Sequence, residues 1–194
     1  MVDRGTTINW ELLTSRDGRK WSRPIRELFF ADSGTDTWRY KVFKVFANSP
    51  IERDGRLLIY YGGKTGTVPV ETGDEPFQAM CLATLRKDGF VSLTAGEQIG
   101  HLITKPFVAT GERLLLNVDA QDEGEAWVEV LDSDGRTIPG FDPGNSIPLR
   151  GHSIEQSAQW QSDAQWKQLA GRTVRLRIQL CRADLYSLRT EMKP

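Results

Sequence analysis

Hydrophobic and polar residues alternate along several short segments of this chain, and this spacing places every second side chain on the same face of a β-strand. The clearest segment is 174–180, where apolar residues alternate with Arg175, Arg177 and Gln179. Leu114, Leu116 and Val118 are spaced in the same way. Such strands have one buried face and one solvated face, which for 174–180 is cationic. Because sheets with one solvated face are usually antiparallel, the pattern favours an antiparallel β-sandwich.

Four Asp-Gly pairs separate the strand-like segments, and this dipeptide supplies the positive φ angles that tight hairpins need. They begin at Asp17, Asp54, Asp88 and Asp134. The segments rich in β-forming residues are 41–47, 57–61, 80–85, 90–93, 114–118, 126–131 and 174–180. Only 163–170 predicts a short helical turn, which Gly171 would end. The sequence therefore predicts an all-β protein.

A weak internal repeat suggests how the chain is organised. Residues 12–18 match residues 82–89 with one inserted residue, and their Asp-Gly pairs begin 71 positions apart, at 17 and 88. About four short strands in such a period are typical of a propeller blade with a long insertion. The similarity stops after Gly100. We therefore predict a propeller-blade-like β region over residues 1–102 and a β-sandwich domain over residues 103–194.

Three motifs resemble parts of five-bladed β-propeller glycoside hydrolases. Residues 15–24, SRDGRKWSRP, resemble the Asp-Gly–Trp hairpin of sialidase-like and furanosidase-like blades. Residues 53–63, RDGRLLIYYGG, resemble the inner strands of a blade in glycoside hydrolase families 32 and 43, and residues 81–93, CLATLRKDGFVSL, resemble its outer hairpin. The segments after residue 102 resemble the β-sandwich appended to such propellers. The chain is thus similar to the C-terminal portion of these proteins.

This resemblance implies a link to carbohydrate but no catalytic residue, because the family's catalytic carboxylates lie on earlier blades that have no counterpart here. Three functions stay open. The first is a carbohydrate-associated part, non-catalytic by itself, that buttresses an enzyme or binds glycan. The second is a functional glycosidase that acts through carboxylates in an assembled propeller. The third is a structural or interaction scaffold without a ligand.

Candidate ligand-binding residues follow from how proteins bind sugars, with aromatic rings and a few polar groups. In the blade-like region these are Trp38, Tyr60, Glu71 and Asp74, although a solvated acidic loop is the simpler interpretation of the last two. In the sandwich region, Trp160 and Trp166 flank a polar stretch that reads as an exposed loop, which makes them binding candidates, although aromatic residues of a β-sandwich usually pack in its core. Trp127 shares a strand face with Glu129 and Leu131 and is a weaker candidate.

Composition excludes several classes of partner. The net charge is −1 over 194 residues, so no basic field attracts nucleic acid. No segment approaches the roughly 20 apolar residues of a membrane helix. Without a signal-peptide core the chain reads as cytoplasmic, or as exported if it is a piece of a longer secreted enzyme. We expect possible partners to be a carbohydrate and either a second copy or the missing propeller blades, because incomplete blades leave strand edges open.

We expect no metal and no cofactor. His101 and His152 do not have the spacing of zinc ligands. Asp132-Ser133-Asp134-Gly135 resembles the start of a calcium loop, but the residue at its twelfth position is Pro143, so a hairpin is the better interpretation. Cys81 and Cys181 each lie in an apolar run, which favours two free thiols over a disulfide.

Overall fold

The computed structural model of the chain describes residues 10–29, 41–45, 49–64, 78–161 and 163–192. The protein is all-β, as predicted, with one short 3₁₀ turn at Trp166–Leu169 among the described residues. Gly171, at φ 80°, follows that turn, which confirms the predicted stop. None of the described helical segments has the length and apolar character needed to cross a membrane. The chain divides into two compact units, Met1–Lys87 and Asp88–Pro194.

The first unit contains a small hairpin and an antiparallel sheet. Strands β1 (Thr14–Ser15) and β2 (Trp21–Ser22) form the hairpin. The sheet consists of β3 (Lys41–Val45), β4 (Ile51–Arg53), β5 (Arg56–Lys64) and β6 (Gln78–Arg86). Strand β5 lies at its centre, with β6 along one side and β3 and β4 in succession along the other.

Three of the four Asp-Gly pairs join segments that pair with each other, and the fourth, at Asp88, lies in a turn without forming a hairpin. Asp54 and Gly55 both have positive φ, 50° and 71°, and join β4 to β5. Gly18 and Gly135 have φ of 67° and 84° in turns of their own. The pair at Asp88 differs, because the strand before it and the strand after it belong to different sheets. Residues 81–93 therefore do not form the outer hairpin of a blade.

The second unit is built on one curled antiparallel sheet with the shape of a half-barrel. Its two long central strands are β10 (Arg113–Asp132) and β12 (Thr173–Glu191), which pair along nearly their full length. Strand β11 (His152–Ser157) follows the outer edge of β10. Three short strands lie in succession along the other edge of β12: β7 (Leu93–Ala95), β8 (Gly100–Ile103) and β9 (Phe107–Val108). The predicted strands 114–118 and 126–131 are thus halves of one strand.

The two units meet at Lys87 and Asp88, earlier than the boundary expected at residue 102. Strands β7 and β8, which the sequence analysis assigned to the first region, pair with β12 instead. The physical reason is a long-range pairing: Leu102 lies opposite Ile178 in the core sheet. A repeat in the sequence carries no information about a partner some 75 residues further along the chain, 178 against 102.

The core of the second unit fills the inner face of the curled sheet. Strands β10 and β12 contribute the apolar residues that alternate in the sequence: Leu114, Leu116, Val118, Ala126, Val128, Val130, Val174, Leu176, Ile178 and Leu180. The connections after β10 and β11 cover them with Ile138, Phe141, Leu149, Trp160, Trp166 and Leu169. Phe141 meets Trp160 edge-on with the ring centres 4.8 Å apart. Aromatic rings from irregular chain thus close the curled sheet on its inner side.

Gly111 closes one end of the central strand pair, because no side chain fits there. Its φ is 72°, and a Cβ atom on it would lie 2.7 Å from the carbonyl oxygen of Glu191. The amide of Glu112 donates to that same oxygen at 2.8 Å. The start of β10 and the end of β12 are therefore in direct backbone contact.

Substitutions at three different glycines separate the two effects expected at Gly111, which are backbone strain and a steric clash. Gly111→Ala adds both left-handed strain and a clash, so we expect a loss of about 3 kcal/mol or more in the free energy of unfolding. Gly135→Ala has open space but a φ of 84°, so it adds strain alone, about 1–2 kcal/mol. Gly96→Ala, in open space without positive φ, is the control and should change little. Urea unfolding measures all three, and equal losses at 111 and 135 would contradict the clash.

The loop that carries Phe141 includes Asp142, whose carboxylate accepts a side-chain hydrogen bond. The side-chain amide of Asn145 donates to Asp142 Oδ2 at 2.7 Å and, as the largest cause, lowers the pKa of Asp142 below its usual value. A carboxyl whose pKa is lower in the folded than in the unfolded protein stabilises the fold above its ordinary pKa. That contribution is lost as the pH falls through the lowered pKa of the folded protein.

We expect Asn145→Ala to raise the pKa of Asp142 toward that of a free aspartate, because the main hydrogen bond to its ionised form is removed. Carbon-detected NMR titration of the Asp142 carboxyl measures the pKa directly. The part of the acid-induced loss of stability that comes from Asp142 should then be smaller in the variant, because the pKa values of its folded and unfolded forms become similar. An unchanged pKa would mean that the backbone amides, not Asn145, hold the ionised form.

Candidate functional site

The outer face of the second sheet, turned away from the core, carries an ordered row of side chains. On β10 and β12, Trp127 lies directly opposite Gln179. On the next strand, β8, His101 lies directly opposite Gln179. Because neighbouring strands are about 4.8 Å apart, the row from Trp127 to His101 spans about 10 Å. We call Trp127, Gln179 and His101 the outer row.

The polar groups of the outer row are open to solvent. None of its three side chains makes a hydrogen bond to a residue that the structure describes, and none has a buried polar atom left without a partner. Trp127 is half-buried, so part of its ring is also accessible. The row thus offers an aromatic surface, an indole N–H, an amide and an imidazole, all unoccupied by the described residues.

A buried ion pair supports the sheet beside the outer row. Glu129 lies opposite Arg177, and its carboxylate is only 3% exposed although it is charged. Arg177 donates to Glu129 Oε2 at 2.8 Å, and the Thr137 hydroxyl donates to Oε1. On the other side of Trp127, Glu125 accepts a hydrogen bond from Arg150 Nε at 2.6 Å. Both carboxylates that flank Trp127 are therefore held by arginines, which fixes the surface around the ring.

The carboxylates of this arrangement are not free for acid–base catalysis, whereas His101 carries an imidazole that is open to solvent. General acid–base chemistry needs a carboxyl or imidazole that can exchange a proton with a substrate. Glu125 and Glu129 are instead committed to Arg150 and Arg177. What remains free is a partly exposed ring with donors and acceptors in one row, which is a combination suited to polyhydroxylated ligands.

Trp160 and Trp166 are buried, as is usual for aromatic residues of a β-sandwich, although the polar stretch between them suggested an exposed loop. Their exposed fractions are 6% and 3%. The Trp160 Nε1 donates to the carbonyl of Val128 at 3.0 Å, and the Trp166 Nε1 donates to that of Thr110 at 2.8 Å. The polar stretch between them is short and leads into the 3₁₀ turn, which returns Trp166 to the core. Rings buried in this way have no face to offer a sugar.

Of the four candidates in the first unit, three lie outside the described residues: Trp38, Glu71 and Asp74. Tyr60 lies on β5, half-buried and opposite Leu82 of β6. Its neighbours Ile59 and Tyr61 point to the other face and are buried. Within the described residues, no other predicted ligand residue lies in the same unit as Tyr60.

The outer row was only partly visible in the sequence. Alternation along 174–180 places Gln179 on the solvated face, and alternation along 126–131 does the same for Trp127. The missing information was the pairing of the two strands, which no local pattern gives. His101 carried no signal, because its strand is only four residues long.

A second polar cluster lies on the outer face at the other half of the sheet. Asp119 of β10 lies directly opposite Asp184 of β12. His152 contacts the carboxylate of Asp119, and the Thr94 hydroxyl donates to Asp184. Both acids are thus engaged within the protein. Among the described residues no group of three or more His, Cys, Asp or Glu is arranged to hold a metal ion.

Two smaller sequence predictions are also settled by the geometry. Asp132 accepts the backbone amides of Asp134 and Arg136, each at 2.9 Å, and so shapes a hairpin turn. This confirms the hairpin interpretation of that segment over the calcium loop. Cys81 and Cys181 are free thiols, as expected.

One edge of the second sheet is open. Beyond Leu185, no described strand pairs with the outer side of β12. An apolar hollow of about 350 Å³ adjoins this edge and is lined mainly by Val91, Leu93, Leu102, Leu185 and Leu188. A second copy or further blades covering such an edge stays a prediction.

Comparison with known proteins adds no family to these observations. A scan against protein-family models and searches of curated proteins and of solved structures find no match to this chain.

Replacing one partner of the ion pair beside the outer row should cost more stability than replacing the other. Arg177→Gln leaves the Glu129 carboxylate buried without its charge partner, and we expect a loss of about 2–3 kcal/mol in the free energy of unfolding. Glu129→Gln leaves a guanidinium that reaches water, since the Arg177 side chain is 35% exposed, and should cost about half as much. Urea unfolding of both variants measures the difference. A larger loss for Glu129→Gln would contradict this account.

Proposed function

We propose that this chain is a carbohydrate-associated β protein, non-catalytic by itself, that binds glycan on the outer face of its second unit. We further propose that it is the C-terminal portion of a glycoside hydrolase-like protein, with propeller-blade elements followed by a β-sandwich-type domain. The sequence resemblance supports this, and so do the antiparallel sheet of the first unit and the all-β second unit. The proposed binding face lies on the second unit.

The observation that carries the proposal is the contrast among three tryptophans. Trp160 and Trp166 are buried and their N–H groups are bonded to backbone carbonyls. Trp127 is half-buried, and its N–H makes no hydrogen bond to a described residue. A partly exposed ring whose N–H group is open to solvent is available to a ligand that covers the ring and accepts the hydrogen bond.

The outer row also explains why a sugar suits this surface better than an apolar ligand. Gln179 and His101 extend the aromatic surface with one amide and one imidazole, both unpaired among the described residues. A pyranose ring presents an apolar face to an aromatic side chain while its hydroxyls donate and accept around the edge. A row of about two strand spacings, roughly 10 Å, accommodates more than one sugar unit.

Trp127→Ala tests the proposal, with Trp21→Ala as the matched control. Trp21 is 61% exposed but lies in the first unit, outside the outer row. On a glycan array and then by calorimetry with the best-bound oligosaccharide, we expect Trp127→Ala to weaken binding at least tenfold, about 1.4 kcal/mol. Trp127→Phe should retain part of the affinity, and Trp21→Ala should retain all of it.

Two results would contradict the proposal. Equal losses for Trp127→Ala and Trp21→Ala would indicate nonspecific adhesion through exposed aromatic rings. The absence of binding to any glycan by the intact chain would favour the scaffold alternative. A hydrolysis assay on aryl glycosides accompanies these measurements, because turnover by the chain alone would favour the glycosidase alternative instead.

A further inference from the structure

The arginines of the second unit differ in one respect that the glycan-binding proposal does not explain. Of the eight arginines between residues 88 and 192, six form an ion pair with an Asp or Glu: Arg113, Arg136, Arg150, Arg177, Arg182 and Arg189. Arg172 and Arg175 form none with a residue that the structure describes. Arg172 is exposed to solvent, but Arg175 is half-buried. Arg175 is therefore a partly desolvated cation without an anion.

The surroundings of Arg175 also leave part of its guanidinium group without a hydrogen-bond partner among the described residues. The Nε of Arg175 is shielded from solvent and has no hydrogen-bond acceptor. Its two terminal nitrogens are not shielded and make no hydrogen bond to a described residue, so they are the donors that an acceptor from outside can reach. Arg175 projects from the outer face, since Val174 and Leu176 on either side of it are fully buried in the core. Its cross-strand neighbour is the apolar Leu131.

The nearby acids are already engaged. Glu129, two positions along β10 from Leu131, is bonded to Arg177 and Thr137. Asp132 accepts the backbone amides of its own turn. An acceptor for Arg175 would therefore come from outside the described chain.

The position of Arg175 relates it to the outer row. It lies four residues from Gln179 on the same face of β12, a separation of about 13 Å along an extended strand. A single sugar resting on Trp127 does not reach this far. An oligosaccharide that continues along β12 passes over Arg177, which is held by Glu129, and arrives at Arg175.

We infer that the glycan bound at the outer row is acidic: an oligosaccharide with one sugar on Trp127 and a carboxylate or sulfate group on a further sugar that pairs with Arg175. This inference rests on the proposed function. The planar guanidinium of arginine presents parallel N–H donors that match two oxygens of such an anion.

The test compares charged and neutral forms of the same ligand on the full chain. One pair of probes is an oligogalacturonate and its methyl ester, and the other is a sulfated oligosaccharide and its desulfated form. The variants are Arg175→Gln, Arg175→Lys and, as the matched control, Arg172→Gln, which removes an exposed arginine that also has no ion pair. Unfolding in urea establishes that each variant is folded, and calorimetry at fixed salt measures affinity.

We expect the unsubstituted chain to bind one charged probe at least tenfold more tightly than its neutral form, and the pair that shows this identifies the anion. Arg175→Gln should remove that preference without changing affinity for the neutral form. Arg175→Lys should retain only part of it, because a lysine has the charge but not the paired donors. Arg172→Gln should leave it unchanged.

Equal affinity for charged and neutral probes would overturn the inference, while binding that still depends on Trp127 would leave the proposed function in place. An equal effect of Arg172→Gln and Arg175→Gln would also overturn it, since that result indicates general attraction between charges. If no glycan binds at all, or if Trp127→Ala changes nothing, the proposed function fails together with the inference.

Discussion

The pairing of β10 with β12 is the interaction on which the second unit depends. Every other strand of its sheet attaches to one of these two, and the inner faces of the pair supply most of the core. A curled sheet of this kind has an apolar inner face that must be covered, because burial of apolar surface is the main favourable term in folding. The covering is provided by the connections after β10 and β11, with Phe141, Trp160 and Trp166 as the largest groups. Two tryptophans are therefore committed to stability and are not available to a ligand.

The same pairing makes the outer face possible. Residues opposite each other on an antiparallel pair point to the same side, so a fully packed inner face leaves the outer side chains free to differ in character. On that outer side Glu129 with Arg177, and Glu125 with Arg150, form closed pairs. The groups that remain open, Trp127, Gln179, His101 and Arg175, lie between and beside these pairs. In the glycan-binding proposal these open groups are the ones that contact the ligand.

Particular residues show how much of the fold and of the candidate site could be predicted from the sequence. The alternation from Val174 to Leu180 gives the strand, its buried face and the outward direction of Arg175, because these depend only on neighbours in the chain. Asp54-Gly55 likewise gives its turn, since positive φ is a local property. The sequence left the burial of Trp160 and Trp166 open for the opposite reason: a tryptophan in a polar stretch is exposed or buried according to what packs on it from afar. The row formed by Trp127, Gln179 and His101 could not be predicted either, because it is set by which strand lies beside β12. Local patterns thus predict the elements, and partners distant in sequence decide the site.

Gly111 has a consequence that reaches beyond its own turn. Its backbone contacts that of Glu191, and this contact limits how far the start of β10 can slide along the end of β12. Sliding the two strands by a single position would turn every side chain to the opposite side of the sheet. Arg175 and Arg177 would then enter the core, and Val174 and Leu176 would enter water. A residue without a side chain, far from the outer row, thus helps to determine which side chains of the sheet face the core and which face outward.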